Sequence, residues 1–369
     1  MAIDPRHPSL SSIPTPALVV DVAALDRNIA SMAQRAAATG TSLRPHIKTH
    51  KSADIARRQV AAGAKGLACA TVAELLYLAD AGFEDILLTS SIADPAKAAM
   101  IAAANRRTKL AVVADHPWQV ALLEAAVSGT GEQLHVLVDI DVGQNRAGAA
   151  DISACIDVAR AIEKSASLVF AGIQGFAGQA QHIVEEPARR EAAGKVTAYL
   201  GECADALRRA GFAVDCITGS GTGTSVYDAH ALFTELQVGS YLFMDADYGR
   251  LQGSSEGGMN FERSLFVLAT VVSVNRAGQV SIDAGTKAFA MNGPSPTLMI
   301  GVSSPMTYRF AGDEHGILTP PSGTMLPRLG DRILLEATHC DPTVNLYAGF
   351  YAIDPEGHVE RWETGGRYT

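Results

Sequence analysis

Short apolar runs alternate with longer alanine-rich stretches from residue 42 to residue 243. Runs rich in aliphatic and β-branched residues predict strands, and the amphipathic stretches between them, such as residues 53–62, 72–81 and 188–210, predict crossover helices. Eight strands with helical partners favour a closed (β/α)8 TIM barrel over an open sheet, so the predicted fold class is α/β. The eight runs are SLRPHIK ending at Lys48, KGLACAT ending at Thr71, DILLTS ending at Ser90, KLAVVAD ending at Asp115, QLHVLVDID ending at Asp141, LVFAGIQGF ending at Phe176, VDCITGS ending at Ser220 and ELQVGSYLF ending at Phe243.

The pattern changes after residue 249. Residues 264–274, 279–283 and 332–336 are strand-like, and turns rich in glycine and proline, such as NRAGQ and TPPSG, separate them. This pattern predicts a second, all-β domain, and we expect the strand-like TPALVVD near the start of the chain to join it. The predicted domains are the barrel at residues 22–247 and the β domain at residues 248–369 with residues 1–21, and the boundary region is 245–262.

Composition and charge exclude several classes of protein. The 369 residues carry 30 basic and 39 acidic side chains, a net charge of −9, so no broad cationic surface is available for a nucleic acid or an anionic membrane. The five cysteines are scattered without a CxxC pair, which argues against a disulfide framework and a thiolate metal cluster. The first residues lack the apolar core of a signal peptide, and no apolar run is long enough to span a bilayer. We therefore expect a cytoplasmic protein that acts on a small molecule, without a nucleic-acid or membrane partner.

The first predicted strand ends at a lysine. Because side chains alternate along a strand, Arg44, His46 and Lys48 share one face, and this face points into the barrel if the aliphatic face meets the helices. Lys48 then lies at the carboxyl-end mouth, where the active sites of TIM barrels are found. A lysine in a partly desolvated mouth has a lowered pKa and can form a Schiff base with an aldehyde. The alternative is a solvated lysine at a strand end.

The seventh predicted strand runs into the glycine-rich segment GSGTGTSV, residues 219–226. Closely spaced glycines let backbone N–H groups point into one concavity, and the neighbouring hydroxyl groups add donors that suit a phosphate. A phosphate site in the loops after strands 7 and 8 recurs in this type of barrel. The alternative is a flexible polar loop.

Two further loops at the predicted mouth carry polar side chains. Arg146 follows the fifth strand and offers a fork of donors to an anionic oxygen, although a lone arginine also occurs in surface ion pairs. The loop after the sixth strand contains Gln174, Phe176, Gln179 and His182. Its polar members either orient a polar ligand or satisfy the loop backbone.

The predicted β domain contains a candidate metal site in the segment EATHCDPTVNLY. His339 and Asp341 are two residues apart, so in an extended segment they project from the same side and can chelate one cation, with Cys340 turned away. One imidazole nitrogen and one carboxylate oxygen suit Mn²⁺, Mg²⁺ or Zn²⁺. The alternative is that the two side chains only hold the turn at Pro342.

Several of these segments occur together, in the same order, in a known family. The chain resembles the D-threonine aldolase and D-serine dehydratase family of fold type III pyridoxal-phosphate (PLP) enzymes, whose barrel is shared with alanine racemase. The resemblance covers nearly the whole chain. The matching segments are TPALVVD, RPHIKTHKS, DIDVGQNRAG, GSGTGTS, ELQVGSYLFMDADYGR, DEHG and HCDPTVNLY.

The resemblance assigns roles to individual positions. It implies that Lys48 holds the cofactor aldehyde and that Arg146 lies near the phenolic oxygen of the cofactor. His182 matches the position at which the aldolases keep a base for the substrate hydroxyl. The implied metal ligands are His339 and Asp341, and the implied phosphate-binding residues are Gly219, Ser220, Gly221, Thr222, Gly223 and Thr224.

The metal-ligand pair distinguishes the branches of the family. The dehydratase branch carries H-x-C with zinc, whereas this chain has His339 and Asp341 on either side of Cys340, so its pair is of the aldolase type. The resemblance thus implies a PLP- and divalent-metal-dependent aldolase that cleaves β-hydroxy-D-amino acids of the D-threonine type to glycine and an aldehyde. Mn²⁺ or Mg²⁺ is the expected cation and Zn²⁺ the alternative, and a homodimer is expected.

Two other functions stay open at this point. A dehydratase acting on D-serine or D-3-hydroxyaspartate would use the same groups to eliminate the β-hydroxyl and release a 2-oxo acid with ammonia. The third hypothesis is a non-catalytic PLP-binding protein. The added β domain argues against it.

Overall fold

The computed structural model describes residues 3–229, 232–251 and 260–368. One strand precedes a parallel barrel, and the strands after the barrel belong to a second sheet. The strands of the described ranges are β1 (Ala17–Asp21), β2 (Ser42–Leu43), β3 (Leu67–Cys69), β4 (Asp85–Leu88), β5 (Lys109–Ala114), β6 (Leu134–Asp139), β7 (Leu168–Gly175), β8 (Ile217–Gly219), β9 (Glu235–Leu236), β10 (Leu265–Ser273), β11 (Val280–Ile282), β12 (Met299–Ile300), β13 (Thr307–Phe310), β14 (Gly316–Thr319), β15 (Arg332–Glu336), β16 (Gly349–Ile353) and β17 (Val359–Glu363).

Most of the helices alternate with the barrel strands. The helices are α1 (Pro8–Ser11), α2 (Val22–Thr39), α3 (Ala53–Ala61), α4 (Val72–Asp80), α5 (Pro95–Asn105), α6 (Pro117–Val127), α7 (Ile152–Glu163), α8 (Glu186–Arg209), α9 (Ser225–Asp228) and α10 (Cys340–Asn345). Several barrel helices begin at a side-chain cap that accepts a hydrogen bond from a first-turn N–H group. The capping residues include Asp21 for α2, Thr71 for α4, Asp94 for α5 and Asp151 for α7. Across the described ranges, no helix combines the length and the apolar character that crossing a membrane requires.

The strands β2 to β9 form a parallel barrel. Within the described residues this sheet has eight strands in the order β2-β9-β8-β7-β6-β5-β4-β3, and each neighbouring pair is parallel. A parallel bridge between His46 and Ala68 joins its two ends, so the barrel closes. Each of the eight strands lies within one of the eight predicted runs, which confirms the predicted fold.

The second sheet is mostly antiparallel, and β1 lies inside it. β1 pairs antiparallel with β10 and parallel with β16, so the start of the chain returns to the sheet formed by the end. The strand-like segments predicted after residue 249 contain β10, β11 and β15. This part of the chain also contains the short helix α10. The division into two domains stays a prediction, and residues 252–259 of the predicted boundary region lie outside the described residues.

Strand β1 contributes to two hydrophobic cores because its side chains alternate in direction. All five of its residues are buried. Leu18 and Val20 belong to the large core that extends through the barrel, whereas Ala17 and Val19 pack in a smaller core on the other face of the second sheet.

A buried ion-pair network lies at the amino-terminal end of the barrel strands. Glu235, at the start of β9, accepts from Arg44 Nε at 2.8 Å and from Lys65 Nζ at 2.5 Å, and its side chain is only 3% exposed. Arg44 also donates to Asp85 Oδ1 at 2.6 Å. These contacts connect β4, β9 and the segment after β2.

Glu235→Ala should lower the free energy of unfolding by about 3 kcal/mol, since it leaves the buried Arg44 guanidinium short of one partner. Urea unfolding of the two proteins measures the difference. The control Asp26→Ala removes an ion pair with Arg58 in which both side chains are partly exposed, and should cost about 0–1 kcal/mol. Equal losses in both variants would contradict the role given to the buried network.

Candidate active site

A cavity of about 310 Å³ opens at the carboxyl ends of the barrel strands. Its wall is formed by residues at or just after the ends of five strands, as expected for the active site of a barrel. Lys48 and Arg146, which sequence reasoning selected separately, both line it. The strand-end residues in its wall are Ala70 (β3), Thr89 (β4), Asp139 (β6), Gln174 (β7) and Gln237 (β9).

Lys48 lies on a turn of 3₁₀ helix and not on an extended strand. Pairing of β2 ends at Leu43, and Ile47–Thr49 form the turn, which His46 caps by accepting from the backbone N–H of Lys48. The prediction that Arg44, His46 and Lys48 alternate along one strand is therefore wrong for Lys48. The extended segment ends at His46, which forms a bridge with Ala68. Lys48 still reaches the mouth of the barrel, because the turn follows directly on that bridge.

The charge on Lys48 is stabilised by a carboxylate. Its Nζ atom lies 3.1 Å from Asp341 Oδ2, and it also lies 5.9 Å from the centre of the Phe176 ring. The Asp341 carboxylate raises the pKa of Lys48 and outweighs the opposing effect of burial. The sequence predicted a lowered pKa for Lys48. This prediction is wrong, because the charge of Asp341 has a larger effect on the pKa than burial has.

Arg146 lies in the loop between β6 and α7, at the edge of the same cavity. A turn positions Arg146, because the Asp141 side chain accepts hydrogen bonds from the N–H groups of residues 143–145. A bridge between Ile140 and Ala149 closes the loop. Arg146 forms no ion pair with any described residue, so its guanidinium is available to an anionic oxygen. Its positive charge acts to lower the pKa of Lys48, as expected of two cations that face one cavity.

The glycine-rich loop after β8 is buried and packed. Gln181 holds it, since its Oε1 accepts from the N–H of Gly223 at 2.9 Å and its Nε2 donates to Thr224 Oγ1 at 3.0 Å. Within the described part of the chain, the backbone N–H groups of Gly221 and Thr222 donate no hydrogen bond, although these residues are buried. Buried donors of this kind require an acceptor, and adjacent N–H groups fit the oxygens of a phosphate.

Gly223→Ala should weaken the binding of PLP, because a Cβ at this position would lie 2.0 Å from the carbonyl oxygen of Gln181. Strain of about 1–3 kcal/mol from such overpacking corresponds to a loss of affinity between about fivefold and 150-fold. Titration of the apoprotein with PLP, followed by absorbance, measures the effect.

A matched control is available in helix α8. A Cβ at Gly194 would have no atom within 4 Å, so Gly194→Ala should keep the PLP affinity. It should also stabilise the fold by about 0.5–1 kcal/mol, the helical cost of glycine relative to alanine. Unchanged PLP affinity in Gly223→Ala would show that the loop does not hold the phosphate.

His182 follows the loop after β7 and meets the second half of the chain. Its Nδ1 atom lies 2.6 Å from Asp247 Oδ2, and its ring packs 4.8 Å from Tyr248 and 6.4 Å from His339, measured between ring centres. His182 therefore lies near His339, one of the two candidate metal ligands.

The His339–Asp341 segment is not extended. His339 has an extended backbone, but helix α10 begins at Cys340, whose N–H donates to Asp245 Oδ2 at 2.8 Å. The buried Asp245 carboxylate thus caps the helix, and the prediction of an extended His-x-Asp pair is wrong. Cys340 is fully buried, and its Sγ donates to Asp341 Oδ1 at 3.4 Å, so the thiol contacts the neighbouring candidate ligand.

The two candidate ligands are held by different contacts. The Asn292 side chain contacts His339 Nδ1 at 3.0 Å, which leaves Nε2 of this ring for another partner. Burial acts to raise the pKa of Asp341, but the charges of Lys48 and His339 outweigh it and hold the pKa well below its usual range. An ionised carboxylate and an imidazole nitrogen are donors that fit a divalent cation, with water or substrate in the other positions.

A different group of metal-ligand type lies on the turn between β16 and β17. The candidate ligand atoms of Asp354, Glu356 and His358 lie within 4.8 Å of one another. Glu356 and His358 are exposed, and His358 Nδ1 already pairs with Asp354 Oδ2 at 2.9 Å. None of these residues lines the barrel cavity.

Sequence reasoning selected Gln174 but missed its two hydrogen-bond partners in the cavity wall, Asp139 and Gln237. Gln174 Nε2 donates to Asp139 Oδ1 at 2.9 Å, and Gln237 Nε2 donates to Gln174 Oε1 at 3.0 Å, so a hydrogen-bonded row crosses the cavity wall. Burial raises the pKa of Asp139 to about 6. Asp247 stands in the matched segment ELQVGSYLFMDADYGR without an assigned role, and no local pattern marks Asn292.

The fold and the cavity define a class of protein: a parallel barrel of the alanine racemase type, with a lysine at its mouth and a second sheet that supplies facing residues. The family model described as alanine racemase, N-terminal domain, matches residues 20–247, and the one described as putative serine dehydratase domain matches residues 264–353. The chain belongs to the D-threonine aldolase and D-serine dehydratase family, and this membership supports PLP as the cofactor.

Known relatives match nearly the whole chain. A D-threonine aldolase of Arthrobacter sp is 37% identical over 360 residues, which are 97% of this chain and 94% of the relative. A 3-hydroxy-D-aspartate aldolase of Paracoccus denitrificans is 33% identical over 97% of this chain and 93% of its own length. The crystal structure of D-threonine aldolase from Filomicrobium marinum superposes with a TM-score of 0.93 at 34% identity and covers 96% of both chains.

Proposed function

We propose that this chain is a PLP- and divalent-metal-dependent aldolase that cleaves β-hydroxy-D-amino acids of the D-threonine type into glycine and an aldehyde. The observation that carries the proposal is the 3.1 Å between Lys48 Nζ and Asp341 Oδ2, because it brings a candidate metal ligand into contact with the candidate cofactor lysine. The names of the two similar aldolases support the same reaction.

The barrel residues of the site would hold the cofactor. Lys48 would bind its aldehyde, Arg146 would bind its phenolic oxygen, and N–H groups of the loop at residues 219–224 would bind its phosphate. When bound, PLP acts as an electron sink for the negative charge that develops on Cα of an amino acid. The Phe176 ring, whose centre lies 5.9 Å from Lys48 Nζ, borders this position on one side.

The residues beside the second sheet would handle the β-hydroxyl group. His339 and Asp341 would hold a divalent cation, which lowers the pKa of a neighbouring hydroxyl. His182 takes the hydroxyl proton as general base. The electrons of the O–H bond then form the carbonyl, the Cα–Cβ bond breaks with its electron pair on Cα, the β-carbon leaves as an aldehyde, and protonation of Cα gives glycine.

A panel of amino acids tests the proposal. The enzyme, loaded with PLP, would be incubated with D-threonine, D-3-hydroxyaspartate, D-phenylserine, D-serine and L-threonine, with and without a chelator, and aldehyde, glycine and ammonia would be measured together. We expect equal amounts of glycine and aldehyde from the β-hydroxy-D-amino acids, loss of both in chelator, and no product from L-threonine. Ammonia with a 2-oxo acid would instead identify a dehydratase and refute the aldolase.

The proposal also covers the identity of the metal ion, the oligomeric state and the cellular location. One nitrogen and one hard oxygen donor favour Mn²⁺ or Mg²⁺, with Zn²⁺ as the alternative, and adding each ion back to the chelated enzyme decides among them. The homodimer and the cytoplasmic location stay predictions from the sequence and the family resemblance.

A further inference from the structure

The His182 ring is held by a carboxylate to which the family resemblance assigned no role. Asp247 Oδ2 lies 2.6 Å from His182 Nδ1, and the Asp247 side chain is only 15% exposed. This contact joins the loop after β7 to the segment after β9. It is therefore a contact between two separate parts of the site, and not a local turn.

Asp247 is itself fixed by two neighbours. Its other oxygen, Oδ1, accepts from Arg250 Nη2. Its backbone N–H donates to Asp245 Oδ1 at 3.1 Å, and Asp245 also caps the helix that begins after His339. The carboxylate that holds His182 is thus connected through Asp245 to the segment of the candidate metal ligands.

We propose that Asp247 is a positioning residue that keeps the proton of His182 on Nδ1 and so leaves Nε2 as the proton acceptor. An ionised carboxylate only accepts hydrogen bonds, so the nitrogen that faces it must carry a hydrogen. In neutral imidazole the other nitrogen then has the free electron pair. The inference rests on the proposed function, since it names the form in which His182 removes the substrate's hydroxyl proton.

Asp247→Asn tests the inference through the chemistry of Arg250. A guanidinium has no acceptor, so the amide oxygen of the new side chain faces Arg250 and its NH₂ group faces His182 Nδ1. Nδ1 must then accept, and the ring proton moves to Nε2, where it blocks base catalysis. We expect kcat for D-threonine to fall by about 100-fold or more, with KM and the absorbance of bound PLP unchanged.

A second substitution separates this effect from a loss of structure. In the double variant Asp247→Asn with Arg250→Leu, nothing ties the amide oxygen to residue 250, so the amide can turn its oxygen to His182 Nδ1. We expect kcat to recover by about tenfold or more relative to Asp247→Asn alone. If Asp247 only supported the fold, removal of a second contact would lower activity further.

Nitrogen NMR reads the proton position without catalysis. In protein labelled with ¹⁵N-histidine, His182→Gln identifies the signals of His182 among the ten histidines. We expect Nδ1 of His182 to carry the proton in the wild type and Nε2 to carry it in Asp247→Asn. The matched control is Asp354→Asn, which breaks an exposed Asp–His contact of 2.9 Å outside the site and should change neither the His182 signals nor kcat.

The outcomes distinguish the two proposals. Wild-type kcat in Asp247→Asn, or a His182 proton that stays on Nδ1 in this variant, would overturn the positioning role. If the wild type cleaves no β-hydroxy-D-amino acid when supplied with PLP and Mn²⁺, the proposed function fails, and with it the use of Nε2 as a base. The NMR measurement then still decides whether Asp247 sets the proton position.

Discussion

Lys48→Ala should lose the absorbance of bound PLP and lower turnover by more than about 1,000-fold, because it removes the amine that holds the cofactor aldehyde. Lys48 is the lysine that lines the cavity of about 310 Å³ at the barrel mouth. Absorbance spectra after gel filtration measure the bound cofactor, and release of aldehyde from D-threonine measures turnover. Thermal unfolding shows whether the variant is folded.

The control for this substitution is Lys97→Ala. Lys97 is exposed on helix α5, and its removal should leave both readouts at wild-type level. Cofactor absorbance and turnover that persist in a folded Lys48→Ala protein would show that another amine holds PLP.

Asp341→Ala should abolish metal-dependent turnover while the protein keeps its PLP. The loss of one ligand to a cation that stabilises charge by several kcal/mol predicts a fall in kcat of about 100-fold or more. Asp341 is also the largest cause that raises the pKa of Lys48, so its removal lowers that pKa and does not impair the reaction of the lysine with an aldehyde. Turnover is measured against Mn²⁺ concentration, and bound PLP by absorbance.

Asp313→Asn serves as the matched carboxylate control. Asp313 is 73% exposed in its side chain and faces Lys287, so its substitution should leave the Mn²⁺ dependence unchanged. An Asp341→Ala enzyme with full activity in the presence of a chelator would rule out the metal role of this residue.

Most of the fold could be predicted because its signals are local in the chain. Each barrel strand is a short apolar run, and its partner helix has a different period, so a window of a few residues is enough to tell them apart. The same holds for β10, β11 and β15 of the second sheet. The start of α10 at Cys340 could not be predicted in this way, because the side chain that caps the helix is Asp245, which lies far away in the chain.

The partners of the site residues could not be predicted in the same way. Nothing near Lys48 in the sequence indicates that its ammonium faces Asp341, or that burial of the lysine is outweighed by this charge. The row from Asp139 through Gln174 to Gln237 likewise joins three different strand ends. Such contacts depend on how the strands are ordered around the barrel.

The sequence by itself determined the class of fold, the candidate lysine after the first barrel strand, and, through resemblance, the residues expected to bind PLP and a metal. Only the tertiary structure decided which charges and hydrogen bonds meet: Lys48 with Asp341, and His182 with Asp247. The physical reason is that periodicity is a property of neighbours in the chain, whereas a pKa or the proton position on an imidazole depends on neighbours in space.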